Sequence, residues 1–186
     1  MIKKLIPTNY YKSIDDIPYT KLYEEGFRLI LTDLDNTLIS YRETEPTDEL
    51  FSWKEMVEKI GFEIIIVSNS RKYRVKHFAE VLGLKYVKFA KKPTKFGLKK
   101  AMRIASRKYR NDEVVEIGDQ VMTDVFASRR FKVYTILVKA IDKKTEILPT
   151  KINRHLEEHF LKKIKKKYPD LYEEKLAEYV RDKNDI

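Results

Sequence analysis

From Arg28 onward, short apolar runs rich in β-branched residues alternate with amphipathic stretches of helical length, and this alternation limits the possible folds most strongly. The apolar runs are Leu29–Thr32, Glu63–Val67, Tyr86–Phe89, Val114–Ile117 and Val133–Val138. Between them lie Leu50–Ile60, Val75–Leu82, Phe96–Tyr109 and Val121–Phe131. Five strands alternating with four helices require parallel βαβ units, because a helix must carry the chain back before the next strand begins. The predicted fold class is therefore α/β, a doubly wound, Rossmann-like, mostly parallel five-stranded sheet. Strands this apolar suit a sheet covered on both faces. Gly61, Gly83 and Gly118 fall at element ends, where glycine closes helices and tight turns.

Two segments fall outside this pattern. The predicted organisation is an N-terminal helical and aromatic extension over 1–26, a core over 27–144, and a basic and acidic helical tail over 145–186. The extension holds Tyr10, Tyr11, Tyr19 and Tyr23 with Leu5, Ile6 and Ile17, and reads as short helices beside the sheet. The tail reads as polar helix with a thin apolar stripe through Leu156, Phe160, Ile164, Leu171, Leu176 and Val180.

The chain contains no cysteine, which excludes disulfides, thiolate catalysis and iron–sulfur clusters. Ile64–Val67 is far too short to span a bilayer, and the two lysines of the N-terminus have no apolar signal core behind them. A soluble cytoplasmic protein is expected. The formal charge is +10, and it is concentrated. Between Arg71 and Arg110 stand fifteen Lys or Arg and one acid, Glu80, so this stretch exceeds the whole surplus. Basic patches attract nucleic acid, anionic membranes or phosphorylated small molecules, and composition does not choose among them.

Ligands of parallel α/β sheets bind beyond the carboxyl ends of the strands. The first run leads into Asp33-Leu34-Asp35-Asn36-Thr37, the second ends at Ser68-Asn69, the third is followed by Lys91-Lys92-Pro93, and the fourth ends at Gly118-Asp119 with Asp124 beyond. Alternation along an extended chain sends Asp33 and Asp35 to one side and Leu34 to the other. Two close carboxylates suit a divalent cation, or a pair in which one keeps a proton. An EF-hand loop from Asp33 would need Gly at Leu38 and Glu at Thr44, and neither a P-loop nor a G-x-G-x-x-G motif occurs. His77 lies away from every strand end; His155 and His159, four apart on an expected helix, could touch one metal, but with no third ligand in view they read as a surface pair.

The order D-x-D-x-T, S-N, K-P, G-D-x-x-x-x-D resembles the haloacid-dehalogenase-like (HAD) superfamily of phosphatases. Leu5-Ile6-Pro7 with the Tyr10 neighbourhood, TDLDNTL, IVSN, AKKP and IGDQVMTDV extend the likeness to the YqeG family of subclass IIIA phosphatases, over about residues 1–140. That resemblance implies Asp33 as nucleophile, forming an aspartyl-phosphate, and Asp35 as general acid and then base. It implies Mg²⁺ held by Asp33, Asp35 through its backbone carbonyl, and Asp119. Asp124 either joins the metal, directly or behind Asp119, or hydrogen-bonds the start of the next helix. The same resemblance implies that Ser68 and the backbone at Asn69 would hold the phosphoryl oxygens, that Lys92 would neutralise them with Lys91 as its rival, and that Thr37 would secure the loop.

Only 35 residues separate Asp33 from Ser68, and 24 separate Ser68 from Lys92, which leaves no room for a large cap domain. An open rim suits a bulky phosphorylated substrate. The family likeness points to phosphatidylglycerophosphate, with docking at the inner membrane surface as the fuller expectation. The contending reading is a non-catalytic basic module that binds RNA or a ribosomal or protein partner. It requires salt-sensitive RNA association and no ester cleavage.

Overall fold

The computed structural model describes residues 2–70, 73–145 and 148–184. Strand β1 spans Asn9–Tyr11, β2 Leu29–Thr32, β3 Glu63–Val67, β4 Lys85–Val87, β5 Val114–Gly118 and β6 Tyr134–Val138. They form one sheet in the order β1-β6-β5-β2-β3-β4, and every pairing is parallel. The helices are α1 Tyr19–Glu24, α2 Asp48–Ile60, α3 Tyr73–Leu82, α4 Phe96–Ile104, α5 Phe126–Phe131, α6 Leu148–Lys167, α7 Pro169–Lys175 and α8 Ala177–Asn184. The α/β class and the parallel sheet agree with expectation, and among the described residues no large cap interrupts the core. Between β2 and β3 stand a loop and α2, and between β3 and β4 stands α3.

The sheet has a sixth strand that hydropathy did not reveal. Asn9–Tyr11 was expected to belong to short helices, but it pairs with Ile136–Val138 at the sheet edge. All three residues are only half-buried, so no apolar run marks them.

Alternation assigns the central strands to two layers. Ile30, Ile64, Ile66, Val115 and Ile117 pack with Trp53 and Val57 of α2 and Val75 and Phe78 of α3. Leu29, Leu31, Ile65 and Val67 pack on the other face with Leu98 of α4 and Ala127 of α5. The N-terminal Ile14, Ile17, Tyr19 and Leu22 complete the first layer. A third cluster joins Leu5, Ile6, Val121, Val125 and Leu137 to Leu161, Ile164, Tyr172, Leu176 and Tyr179 of the tail. The tail helices are thus docked beside β6, although Leu156 of the expected stripe stands exposed.

Two helices depart from their predicted bounds. The stretch expected to be helical to Tyr109 stops at Ile104, because Glu63 binds the chain beyond it. Its carboxylate accepts from Ser106 Oγ at 2.6 Å and Tyr109 Oη at 2.9 Å. The helix expected from Val121 opens as one π turn over Val121–Val125 before α5. No helix of the described residues is long and apolar enough to cross a membrane.

Candidate active site

In-register pairing sets the site. Thr32 of β2 lies opposite Ile66 of β3 and Ile117 of β5, so Asp33, Ser68 and Asp119 all follow at the carboxyl edge. Asp33 N–H still donates to Ile117 O at 3.0 Å, which continues the ladder into the loop. Asn36 then turns the chain with φ +64°, a conformation asparagine tolerates, and Leu34 O accepts from Leu38 and Ile39 N–H. Asn36 also takes Ile141 N–H on its carbonyl and Asp142 N–H on its side chain, which ties this loop to the one after β6.

Asp33, Asp35, Thr37, Ser68, Lys92, Asp119 and Asp124 are all buried at this edge. Lys92 Nζ stands 2.9 Å from Asp33 Oδ1 and 2.5 Å from Asp124 Oδ1. Its backbone is held by the Asn69 side chain, which accepts from Lys92 N–H at 2.7 Å and donates to Lys92 O at 3.0 Å. Lys91 points elsewhere, its ammonium 5.1 Å from the Phe89 ring and 5.3 Å from the Phe96 ring. The geometry places Lys92, not its neighbour, beside Asp33. Ser68 Oγ accepts from Ser70 N–H at 3.2 Å, and Thr37 Oγ1 donates to Asp119 Oδ1 at 3.3 Å. Asp124 does two things at once. One oxygen faces Lys92 and the other accepts from Gln120 N–H at 3.0 Å, closing the π turn. Gly118 permits this, since a Cβ there would meet Asp124 Cβ at 2.4 Å.

Three charged residues join the site without having been foreseen. Arg74, at the start of α3, donates from Nε to Asp35 Oδ1 at 2.7 Å and from Nη2 to Ser40 O at 2.7 Å, with its guanidinium over the Phe78 ring. Arg154 of α6 donates from Nη1 to Asp119 O at 2.7 Å and pairs through Nη2 with Asp119 Oδ2. Glu116 of β5 is fully buried close to Lys92 and Asp124, with the Ser128 hydroxyl beside its carboxyl group. Only Glu116 left a trace in the sequence, as a lone acid inside an apolar strand.

The electrostatics follow from that crowding. Burial pushes the Asp33 carboxyl well above its ordinary range; Asp124, Asp119 and Asp35 add to the rise and Lys92 opposes it. Burial and Asp124 likewise push Glu116 up to about 8. Burial works against the Lys92 charge, but Asp124, Asp33 and Glu116 outweigh it and hold the ammonium protonated. Five buried carboxyl groups (Asp33, Asp35, Asp119, Asp124 and Glu116) thus face three cationic side chains, Lys92, Arg74 and Arg154. Glu116 keeps its proton, so four carboxyl groups stand against those three cations, and an all-oxygen donor set of this kind fits a hard divalent cation. Among the described residues no three acidic or histidine side chains converge on one point, so a backbone carbonyl would have to complete any ligand set.

The basic stretch is less concentrated in space than in sequence. Lys85 pairs with Glu63, Arg107 with Glu113 and Arg110 with Asp112, while Arg74 and Lys92 are spent on site carboxylates. Arg71 and Lys72 lie outside the described residues.

Comparison with known proteins shows what the whole chain is similar to. The family model described as mitochondrial PGP phosphatase matches residues 2–142. The chain is 35% identical over 168 residues to the probable phosphatase YqeG of Bacillus subtilis (strain 168), covering 90% of this chain and 96% of that relative. It is also similar to the crystal structure of an uncharacterized protein from Listeria monocytogenes serotype 4b. The TM-score there is 0.50 at 14% identity, over 70% of this chain and 97% of that one, a likeness of fold alone.

Proposed function

Because the chain belongs to the mitochondrial PGP phosphatase family of HAD-type phosphatases, we propose that it hydrolyses a bulky anionic phosphate monoester through an aspartyl-phosphate on Asp33. One observation carries this reading: the Lys92 ammonium, bridging Asp33 and Asp124, sits where phosphoryl oxygens would approach the Asp33 carboxylate. Asp33 attacks phosphorus, and the bond to the ester oxygen breaks as the new bond forms. Asp35 gives a proton to the leaving oxygen, then takes one from the water that releases phosphate and restores Asp33. Lys92, the Ser68 hydroxyl and the Asn69 backbone N–H hold the phosphoryl oxygens, and Thr37 steadies Asp119. Mg²⁺ would be held by Asp33, the Asp35 carbonyl and Asp119, with Asp124 behind them. When bound, it screens the charge between nucleophile and phosphoryl group.

The rim supports an amphiphilic substrate. Tyr73, Phe89, Phe96 and Ile141 follow β3, β4 and β6 on the carboxyl side of the sheet, and all are exposed. Lys88, Lys91 and Lys95 are exposed among them. Aromatic and apolar side chains interspersed with lysine suit docking on an anionic bilayer. We therefore take phosphatidylglycerophosphate at a membrane surface as the substrate reading. The test is phosphate release with Mg²⁺ from phosphatidylglycerophosphate vesicles and from a water-soluble ester, beside an Asp33→Asn control. Release from vesicles above the control is expected. Release from the soluble ester alone rejects the lipid, and release from neither, with salt-sensitive RNA binding, favours the binding module.

A further inference from the structure

The C-terminal helices lie beyond the residues matched by the family model, yet one of them reaches into the site. The buried face of α6 is Thr150, Arg154, Glu157, Leu161 and Ile164, spaced as one helical stripe. Its later part is apolar and packs with Tyr172, Leu176 and Tyr179. Its first part is polar, and Arg154 grips Asp119.

The grip is two-pronged. Arg154 Nη1 reaches the backbone carbonyl of Asp119 at 2.7 Å, and Nη2 pairs with its Oδ2. The guanidinium fork is rigid and permanently charged, so two contacts on one residue fix that residue's orientation. The other carboxylate oxygen, Oδ1, is left on the side of the Asp33 loop, where Thr37 Oγ1 lies 3.3 Å away. Arg154 is itself held. Nη1 is 3.3 Å from Tyr179 Oη and 3.7 Å from Glu157 Oε2. Glu157 in turn accepts from Tyr179 Oη at 2.7 Å, Lys183 Nζ at 3.0 Å and Val121 N–H at 3.3 Å. The chain of contacts therefore runs from α8 through Glu157 and Arg154 to Asp119.

We infer that Arg154 is a positioning residue for the divalent cation: the C-terminal helices are part of the active site, and Arg154 presents Asp119 Oδ1 to the metal by occupying Oδ2 and the backbone carbonyl. Like charge between guanidinium and metal opposes this role, but the arginine takes the oxygen turned away from the Asp33 loop. Groups that orient metal ligands in this way typically carry 10–100-fold in metal affinity. The inference rests on the Mg²⁺ reading of the site, and the experiment separates the two.

Magnesium chloride is titrated calorimetrically into the full chain, Arg154→Gln, Arg154→Lys and the surface control His155→Ala, with circular dichroism reporting the fold. Arg154→Gln is expected to bind at least about 10-fold more weakly than wild type, Arg154→Lys to lie between them, and His155→Ala to match wild type. Equal affinity of a folded Arg154→Gln and wild type would leave Arg154 a structural residue and overturn the inference. Tighter binding overturns it too, since Arg154 would then compete with the cation. If Arg154→Gln does not fold, Arg154→Lys decides, and wild-type affinity there overturns the inference. Should wild type itself bind no Mg²⁺, the metal reading falls and takes this one with it.

Discussion

Lys92 Nζ lies 2.9 Å from Asp33 Oδ1 in a pocket where both side chains are buried, and 2.5 Å from Asp124 on its other side. The lysine therefore holds two carboxylates that would otherwise repel. Breaking such a buried pair by removing one partner typically costs about 3–5 kcal/mol, because the charge left behind has no compensation. Lys92→Met is expected to lower unfolding stability by about that amount in urea. The same change should cut the rate of ester hydrolysis by about 10²–10³-fold, the usual loss when a stabilising charge is removed from a transition state. A variant of wild-type activity would remove Lys92 from the chemistry.

Arg74 makes a different kind of contact. It stacks on Phe78 and fixes the Asp35 carboxyl at 2.7 Å, but lies nearer the surface. Arg74→Ala is expected to leave the fold intact, shown by an unchanged circular dichroism spectrum, and to lower kcat by about 10-fold through loss of Asp35 orientation. Unchanged kcat would mean that Asp35 needs no such support.

Gly118 is a steric requirement of Asp124. With no room for a Cβ, Gly118→Ala must push Asp124 away from Lys92 and strain the π turn. A stability loss of about 1–3 kcal/mol, the common cost of overpacking, is expected together with reduced activity. Both are read from urea unfolding and initial rates on one preparation.

Glu116 makes stability depend on pH. With its carboxyl pushed up to about 8, the folded chain keeps a proton that the unfolded chain releases near the ordinary glutamate value. The folded state thus binds more protons between those values, so this group's contribution weakens as pH rises through that window. Glu116→Gln carries no such proton. Its stability relative to wild type should increase from pH 5 to pH 9, measured as the shift in urea midpoint. A shift that does not vary with pH would contradict the assignment.

The parts of the site legible in sequence are those that follow directly from strand ends. Asp33, Ser68 and Asp119 were readable because each stands just past an apolar run, and parallel pairing brings such ends together. Lys92 was readable from its place before Pro93. Arg74 was hidden among fifteen basic residues, and only the packing of α3 against the Asp33 loop singles it out. Arg154 left no local signal, since its burial depends on how α6 docks. The tail's apolar stripe was legible at Ile164 and Leu176, with Phe160, Leu171 and Val180 packed against the same cluster, but not at its start: Leu156 is exposed, and the buried face of α6 opens with Thr150, Arg154 and Glu157. Strand β1 was missed for a related reason: its order comes from pairing with β6, more than a hundred residues away.

The central claim is that Asp33 becomes covalently phosphorylated. The most direct measurement is acid-quenched turnover of phosphatidylglycerophosphate vesicles with Mg²⁺, followed by peptide mass spectrometry across Thr32–Leu38. One added phosphoryl group on Asp33 during turnover, absent from Asp33→Asn and lost on mild base treatment, is the expected result. Phosphate release by wild type with no phosphoryl group on Asp33, or undiminished release by Asp33→Asn, would contradict it.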